Sequence, residues 1–262
     1  MTNLAHTSHG TGTPVVFLHG FCENQAVWHD FVQPFATDFQ SVLVDLPGFG
    51  KSAANRDFGS VEAMAAEVWK LLDGLGLRRP VLAAHSLGGY VALAMADQRP
   101  DEPAGLCLFH STAYADSPEK KQSRDKTAAF IQNNGLAAFL DNFVPGLFFR
   151  ERHAELQPAI QKVRQLTGQT SLETAVAVTL AMRDRPDRTH VLREAAYPVL
   201  FIAGKNDEAV VFDTAKEQFP LPRHAIVQML AETAHMGMFE RPAETQAMVR
   251  AFVRIAAYSR VS

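Results

Sequence analysis

Short apolar runs alternate with helical patterns between Val15 and Ser111, and this alternation restricts the fold more than any other feature of the sequence. Apolar residues recur at helical spacing from Val61 to Leu75, and a second helical pattern follows Gly88-Gly89. Strands that alternate with helices predict a mostly parallel sheet flanked by helices, which is an α/β fold. The apolar runs are typical of strands covered on both faces, and they span 15–18, 41–44, 81–84 and 106–109.

The alternation stops after Ser111. The pattern is then helical as far as residue 196, and the strand pattern returns at 198–203 and 225–230, before a last helix that Pro242 opens. An insertion of roughly 85 residues is far longer than an ordinary crossover connection. We therefore predict an α/β core formed by residues 1–111 and 197–262, with residues 112–196 as a helical cap.

The composition excludes several classes of partner. The 262 residues include 25 lysines and arginines against 28 aspartates and glutamates, so there is no basic excess for nucleic acid or an acidic membrane. No apolar stretch reaches the roughly 18 residues of a membrane span, and the polar N-terminus has no secretory signal pattern. Two cysteines, Cys22 and Cys107, are too few for a disulfide framework or a cysteine metal cluster and favour a reducing cytoplasm. His6 and His9 have no metal-ligand partners nearby in sequence, which favours a frayed terminus over a metal site.

Ser86 lies directly after one predicted strand and directly before a helix, in the segment Ala-His-Ser-Leu-Gly-Gly at 84–89. A serine in such a turn takes a strained backbone conformation and needs small neighbours, which Ala84, Gly88 and Gly89 supply. The turn exposes the hydroxyl beside the N–H groups of the helix start, so Ser86 is the candidate nucleophile. An ordinary N-cap serine is the alternative. The usual Gly-x-Ser-x-Gly pattern begins with glycine, whereas this chain has Ala84.

The base is sought among the late histidines, because a strand–serine–helix turn is associated with the chain order serine, acid, histidine. His224 and His235 are the histidines that lie past the strand at 198–203. His224 precedes the strand at 225–230, whereas His235 follows its carboxyl end, where catalytic groups gather in parallel sheets. We therefore choose His235 as the base and place His224 on the surface.

The acid should orient His235 and stabilise its protonated form. Asp207 directly follows the strand at 198–203, whereas Glu208 and Asp213 lie further along the chain. Asp116, after the strand at 106–109, is a second candidate. The position of Asp207 at a strand exit favours it over Asp116.

The segment His19-Gly20-Phe21 follows the first strong strand. Gly20 allows the backbone to turn so that the N–H of Phe21 can point at the same oxyanion as the N–H of Leu87. An ordinary turn at the end of a strand, with His19 hydrogen-bonded locally, is the alternative. The position of the segment upstream of Ser86 and after a central strand favours an oxyanion hole formed by Phe21 and Leu87.

Three separated fragments thus lie at the carboxyl ends of three strands, in the chain order of one catalytic triad. On these residues the chain resembles an α/β-hydrolase with a helical cap, from Gly12 to about Ala256. The stretch before Val15 leaves room for one early antiparallel strand rather than the family's usual two. The segments that carry the resemblance are 19–21, Asp-Leu-Pro-Gly-Phe-Gly-Lys-Ser at 45–52, the turn around Ser86, and the loops of Asp207 and His235.

The resemblance implies a site without a cofactor and acyl transfer through a covalent serine intermediate. We expect hydrolysis of small, fairly apolar carboxylic esters, with apolar walls supplied by the region of Phe21 and Trp28 and by residues 139–149. Lactone hydrolysis, perhydrolysis and carbon–carbon bond hydrolysis use the same triad. The carbon–carbon hydrolases typically have a tryptophan shortly after the histidine, where this chain has 236–239, Met-Gly-Met-Phe. A ligand-binding receptor with slow turnover is the alternative from another class.

Two glycine-rich matches and two histidines have simpler explanations. Gly50-Lys51-Ser52 resembles the end of a P-loop, but Asp45 occupies the position of its first glycine, and the loose dinucleotide fingerprint here lacks a following helical pattern. A structural turn explains this segment better. His85 is expected to brace the turn of Ser86, and His110 either lines the pocket or forms local hydrogen bonds.

Charged runs in the predicted cap are interpreted as solvated helix faces. These runs are 119–121, Glu-Lys-Lys, and 183–185, Arg-Asp-Arg. If Arg183 or Arg185 faced the pocket, a substrate bearing a carboxylate would be favoured.

Overall fold

The computed structural model describes residues 4–52 and 59–258. A seven-stranded sheet lies at the centre of this described part. Its strands are β1 (His6–His9), β2 (Thr13–Leu18), β3 (Phe39–Val44), β4 (Val81–His85), β5 (Gly105–Phe109), β6 (Val199–Gly204) and β7 (Ala225–Leu230). Their order across the sheet is β1-β3-β2-β4-β5-β6-β7. The predicted α/β fold, with its mostly parallel sheet, is confirmed.

The strand pairing brings the carboxyl ends of the parallel strands to one edge. Strand β1 pairs antiparallel with β3, with His6 opposite Val44, and the other pairs of the described sheet are parallel. One antiparallel strand therefore precedes β2, as the sequence predicts. The expectation of a frayed terminus at His6 and His9 is wrong, because both residues belong to β1.

Helices flank the sheet and fill the long insertion. None of the described helices is long and apolar enough to cross a lipid bilayer. They are α1 (His29–Val32), α2 (Val61–Gly74), α3 (Leu87–Gln98), α4 (Pro118–Asn134), α5 (Leu136–Gly146), α6 (His153–Thr167), α7 (Leu172–Asp184), α8 (Thr189–Glu194), α9 (Phe212–Ala215), α10 (Gly237–Glu240) and α11 (Pro242–Tyr258). Short 3-10 turns occupy Gln25–Trp28, Gln33–Phe35, Arg150–Arg152 and Lys216–Gln218.

Helices α2 and α3 show how the sequence positions the site. Ser60 begins α2 as predicted, since its hydroxyl accepts a hydrogen bond from the N–H of Ala63 at 3.1 Å. Helix α3 packs against α2 and β4 and is buried on all sides from Leu87 to Ala96. A helix that is apolar all round belongs in a core. The start of α3 is thus held rigidly beneath the residue that precedes it, Ser86.

The insertion between β5 and β6, which is described without a gap, contains α4 to α8 and no strand. It is fastened to the rest of the chain by hydrogen bonds. The hydroxyl of Thr170 donates to the carbonyl of Cys22 at 3.0 Å, and the N–H of His235 donates to the carbonyl of Leu147 at 2.9 Å. The structure therefore has helices where the sequence predicts a cap, and the division into core 1–111 and 197–262 and cap 112–196 stays a prediction.

Candidate active site

Ser86 occupies a strained turn at the exit of β4. Its backbone has φ 50° and ψ −114°, a conformation that residues with a side chain rarely adopt. The N–H of Ser86 donates to the carbonyl of Phe109 at 3.0 Å, so the strain is held by the neighbouring strand. An N-cap serine would accept a hydrogen bond from the first turn of α3, and the Ser86 side chain makes no such bond. The cap alternative is therefore wrong, and the hydroxyl is available for chemistry.

The residues around Ser86 are small because the backbone of β2 and a side chain beyond β5 lie against them. A Cβ atom added to Gly88 would lie 2.6 Å from the carbonyl oxygen of Leu18, and one added to Gly89 would collide with the hydroxyl of Ser111. Ala84 is fully buried in the central strand β4, and its methyl group is accommodated there. The departure from glycine at Ala84 thus leaves the turn intact.

His235 and Asp207 form a buried, hydrogen-bonded pair. Nδ1 of His235 lies 2.7 Å from Oδ2 of Asp207, and the other carboxylate oxygen accepts hydrogen bonds from the N–H groups of Ala209 and Val210, each at 2.9 Å. Burial opposes the charge of Asp207, but the nearby His235 and the hydrogen bonds outweigh it and hold the pKa of this carboxyl well below its usual range. Because Nδ1 of His235 donates to Asp207, its Nε2 carries a lone pair and can accept a proton.

The competing candidates lie elsewhere. His224 is exposed, as the sequence predicts. Asp116 is buried and is engaged by two guanidinium groups, those of Arg124 at 3.0 Å and Arg185 at 2.7 Å, so it holds the insertion together instead of orienting His235.

Ser86 and His235 line one cavity of about 290 Å³ that lies between the sheet edge and the insertion. Its size is at the lower end of the range for small-molecule sites. Phe21 contributes the lower wall, where its ring contacts Phe139 and Phe143 of α5 with ring centroids 6.3 and 5.9 Å away. The wall predicted from residues 139–149 is present, and its members from Phe139 to Leu147 line the cavity.

The expectation that Trp28 belongs to the pocket region is wrong. Trp28 is fully buried in the core, where its ring packs against Phe17 and Phe109 with centroids 5.3 and 5.7 Å apart. Phe149 is also displaced from the cavity and borders a separate, wider groove. Trp28 belongs to the core because the turn Gln25–Trp28 directs its ring toward the sheet.

The two residues of the predicted oxyanion hole lie at the exit of β2 and at the start of α3. Phe21 lies within the turn after β2 that the N–H of Glu23 closes onto the carbonyl of Gly20, and Leu87 is the first residue of α3. Among the hydrogen bonds of the described residues, neither N–H donates to another atom of the chain. The turn itself is fixed by His19, whose Nδ1 donates to the carbonyl of Gly20 at 2.8 Å and whose Nε2 accepts from the N–H of Leu46 at 3.0 Å.

Sequence reasoning missed Glu23, which is buried beside this turn. Its carboxylate accepts from the N–H of Gly20 at 2.7 Å and lies 3.2 Å from Nδ1 of His85. Nε2 of His85 in turn lies 3.0 Å from the carbonyl oxygen of His235, so both ring nitrogens face acceptors. Burial alone would lower the pKa of His85, but Glu23 more than offsets it and raises that pKa. The expected bracing role of His85 is confirmed, and it extends from the serine turn to the histidine loop.

Glu240 is a second buried acid that the sequence did not reveal. One of its carboxylate oxygens accepts from the N–H groups of Ala234 and Met236, at 3.0 and 3.2 Å, and the other accepts from the N–H of Phe149 at 3.0 Å. The side chain thus holds both neighbours of His235 and attaches them to the insertion. In sequence it follows Met238 and Phe239, and an acid next to such an apolar stretch was the one available signal.

His110 is a third buried imidazole at the site, and it contacts Asp207. Its Nε2 accepts from the N–H of Gly237 at 3.2 Å, and its Nδ1 lies 3.3 Å from both Oδ2 of Asp207 and the backbone nitrogen of Gly204. Burial lowers the pKa of His110 to about 4, which keeps it neutral. His110, Asp207 and His235 offer metal-ligating atoms within 4.8 Å of one another, but those of His110 and Asp207 are already occupied by hydrogen bonds.

The glycine-rich segment 45–52 is a structural turn, as the sequence analysis favours. The carboxylate of Asp45 accepts from the N–H groups of Gln25 and Lys51, at 2.7 and 2.8 Å. Gly48 and Gly50 have φ of 83° and 53°, which glycine adopts without strain. The residues that follow the dinucleotide-like match, 53–58, lie outside the described part of the chain.

Two basic residues of α4 line the cavity, Lys120 and Arg124. The interpretation of 119–121 as a solvated face is therefore wrong for Lys120, which is half-buried, and holds for its exposed neighbour Lys121. Arg185 is buried over the ring of Tyr90, with 3.9 Å from its Cζ to the ring centroid, so it is not solvated either. Arg183 forms ion pairs near the surface, and neither Arg183 nor Arg185 lines the cavity.

Comparisons with known proteins identify the family of the chain. The family model described as "alpha/beta hydrolase fold" matches residues 13–242, and the chain belongs to this family. The pimeloyl-[acyl-carrier protein] methyl ester esterase of Vibrio parahaemolyticus is 30% identical, over 97% of this chain and 99% of its own. A thermophilic esterase of Thermogutta terrifontis, solved with malate bound, superposes with a TM-score of 0.91 at 29% identity and covers 97% of this chain and 93% of its own.

A third relative is longer than this chain. The dihydrolipoyllysine-residue acetyltransferase component of the acetoin cleaving system of Pseudomonas putida is 28% identical over 93% of this chain. The match spans 64% of that protein's length. The chain therefore spans about two thirds of the length of this relative.

Proposed function

We propose that the protein is a serine hydrolase that cleaves carboxylic esters of small, fairly apolar substrates through an acyl-enzyme on Ser86. The observation that carries the proposal is the 2.7 Å contact between His235 Nδ1 and Asp207 Oδ2, with His235 lining the same cavity as Ser86. A nucleophile in a strained turn, an imidazole held in the accepting tautomer and a carboxylate with a depressed pKa are the parts that such a reaction requires.

In the proposed mechanism the hydroxyl of Ser86 attacks the ester carbonyl carbon while Nε2 of His235 takes the hydroxyl proton. Asp207 stabilises the imidazolium that forms. The N–H groups of Phe21 and Leu87 stabilise the negative oxygen of the tetrahedral intermediate, and removing one such donor costs about 3–4 kcal/mol of activation free energy.

The tetrahedral intermediate collapses when its bond to the alcohol oxygen breaks and His235 donates its proton to that oxygen. A water molecule then gives a proton to His235 and attacks the acyl carbon. Collapse of this second intermediate releases the carboxylic acid and returns the proton to Ser86. The overall reaction consumes one ester and one water and yields one alcohol and one acid.

Two observations favour esters among the reactions that share this triad. The relatives at 29% and 30% identity are named as esterases. The loop after His235 lacks the tryptophan that is typical of carbon–carbon hydrolases and continues with Met236 and Gly237. The two cysteines, Cys22 and Cys107, are buried and unpaired, which is compatible with the proposed cytoplasmic location.

A fluorophosphonate probe tests the nucleophile. We expect the wild type to gain the mass of one adduct, with the modified peptide containing Ser86, and the Ser86→Ala variant to gain none. Ser123→Ala is the matched control, because Ser123 lines the same cavity and should not affect labelling. Labelling at a residue other than Ser86 would contradict the proposal.

Turnover distinguishes an enzyme from a receptor with the same fold. We expect repeated turnover of short p-nitrophenyl esters by the wild type and a loss of at least about 10³-fold in Ser86→Ala. Stoichiometric release of one p-nitrophenol per chain, without further turnover, would instead favour the slow receptor.

A further inference from the structure

One wall of the cavity is polar, and it comes from a single helix face. Lys120, Ser123, Arg124 and Thr127 of α4 all line the cavity. Their spacing of three, four and seven residues from Lys120 places them on one side of the helix. The rings of Phe21, Phe139 and Phe143 contact one another and form an aromatic wall of the same cavity. A purely apolar substrate would leave the polar wall of α4 unused.

The two cations of this wall, Lys120 and Arg124, differ in their ion pairs. Asp116 is the shared partner of Arg124 and Arg185, at 3.0 and 2.7 Å, so one negative charge serves two guanidinium groups. Lys120 has no ion-pair partner among the described residues. The exposed Glu208 lines the cavity and has the opposite charge, but it makes no ion pair with Lys120.

Lys120 also lies where a charge is poorly solvated. Desolvation by burial and the neighbouring charge of Arg124 lower the pKa of its ammonium group from its usual value, and the more distant carboxylates of Asp116 and Asp207 do not offset them. A cation in that position gains from a negative partner more than an exposed lysine does, because the surrounding water screens it less. The backbone N–H of Lys120 donates a hydrogen bond to the hydroxyl of Ser117 at 3.2 Å, which fixes the first turn of α4.

We propose that Lys120, assisted by Arg124, binds a free carboxylate of the substrate, so that the preferred substrates are small esters carrying a second, ionised carboxyl group. Half-esters of short dicarboxylic acids belong to this class. The inference rests on the proposed function, because the ester must lie at Ser86 while the carboxylate lies at α4. The aliphatic chain between the two groups packs on the aromatic wall.

The experiment compares two methyl esters of matched shape, monomethyl glutarate and methyl 5-methylhexanoate, in which an isopropyl group replaces the carboxylate. The measured quantity is the ratio of kcat/KM for the anionic ester to that for the neutral ester, followed by pH-stat. We expect Lys120→Gln to lower this ratio about tenfold and Lys120→Glu to lower it further. Lys120→Arg should retain the ratio, and added salt should reduce it in the wild type.

Lys121→Gln is the matched control, since Lys121 is the exposed neighbour that does not line the cavity. A ratio that is the same in wild type, Lys120→Gln and Lys120→Glu would overturn the inference. If these proteins still hydrolyse the neutral ester, the proposed function is unaffected by that result. If the wild type hydrolyses neither ester and the fluorophosphonate does not label Ser86, the proposed function fails. Calorimetric binding of monomethyl glutarate then decides: weaker binding to Lys120→Gln supports the subsite, and equal binding overturns it.

Discussion

Nε2 of His85 lies 3.0 Å from the backbone carbonyl oxygen of His235, although the two residues are 150 positions apart in the chain. His85 directly precedes Ser86, so this contact joins the turn of the proposed nucleophile to the loop of the proposed base. The other nitrogen of the ring faces Glu23, which also holds Gly20 next to Phe21. One buried ion pair thus connects the three loops that form the site.

The pair makes the effect of Glu23→Gln depend on pH. Burial acts to lower the pKa of His85, but Glu23 raises it above the value in the unfolded chain. The stability that protonated His85 contributes is therefore complete below the pKa of the unfolded state and is lost as pH rises through the pKa of the folded state. Burial acts to raise the pKa of Glu23, but His85 lowers it below the value in the unfolded chain. The stability that ionised Glu23 contributes is therefore present above the pKa of the unfolded state and is lost as pH falls through the pKa of the folded state. The pair contributes most between about pH 5 and about pH 6.5.

We expect Glu23→Gln to lower the free energy of unfolding by about 3–5 kcal/mol near pH 6 and by less near pH 9, as measured by urea denaturation. The exposed Glu217→Gln is the control and should change stability by less than about 0.5 kcal/mol. Equal losses for Glu23→Gln at both pH values would show that the pair is not ionised in the native state.

Asp207→Asn tests the orienting acid. The carboxylate of Asp207 accepts hydrogen bonds from His235 and from two backbone N–H groups, and the NH₂ of asparagine would face one of these donors. Because His235 then loses the partner that sets its tautomer, we expect kcat on p-nitrophenyl esters to fall by about 10⁴-fold. Asp213→Asn, at an exposed acid of α9, should retain activity, and a fall of less than tenfold in Asp207→Asn would exclude Asp207 as the acid.

Glu240→Gln tests the support of the His235 loop. The carboxylate accepts three backbone hydrogen bonds, and the amide group of glutamine would place N–H against N–H at one of them. We expect a loss of about 1–3 kcal/mol in the free energy of unfolding and a lower kcat with the pH profile of kcat displaced, since His235 is held less firmly. The exposed Glu244→Gln is the matched control, and wild-type kcat in Glu240→Gln would contradict the supporting role.

The two sides of Ser86 should respond differently to a change of one methyl group. Gly88→Ala places a Cβ atom 2.6 Å from the carbonyl oxygen of Leu18, which is backbone and cannot give way, so we expect at least about a 100-fold loss of kcat. Ala84→Gly restores the family's usual residue in a strand and should cost about 0.5–1 kcal/mol of stability with activity retained. Comparable turnover by both variants would show that the turn is more adaptable than its geometry indicates.

The sequence could predict features that depend on neighbouring residues, but not contacts between residues far apart in the chain. The positions of Ser86, Asp207 and His235 follow from strand exits and chain order, which are local patterns combined with one topological rule. The partners of buried charges do not follow in this way. Glu23 and His85 are 62 positions apart, and Glu23 lies in a stretch that looks like any polar turn.

Side-chain direction is the second kind of information that was not available. Trp28 and Lys120 have the composition expected of a pocket wall and a solvated face, respectively, yet Trp28 points into the core and Lys120 points into the cavity. Both directions depend on which side of a helical turn faces residues far away in sequence, which are Phe17 and Phe109 for Trp28 and the cavity wall for Lys120.

The attachment of the insertion at the His235 loop has a consequence for recombining these proteins. His235 donates its N–H to Leu147, and Glu240 reaches Phe149, so residues 147–149 belong mechanically to the loop even though they are far from it along the chain. A chimaera that exchanges the insertion between two homologues therefore has to take residues 147–149 and Glu240 from the same parent. Otherwise we expect the His235 loop to lose the contacts that orient the imidazole, even when Ser86, Asp207 and His235 are all present.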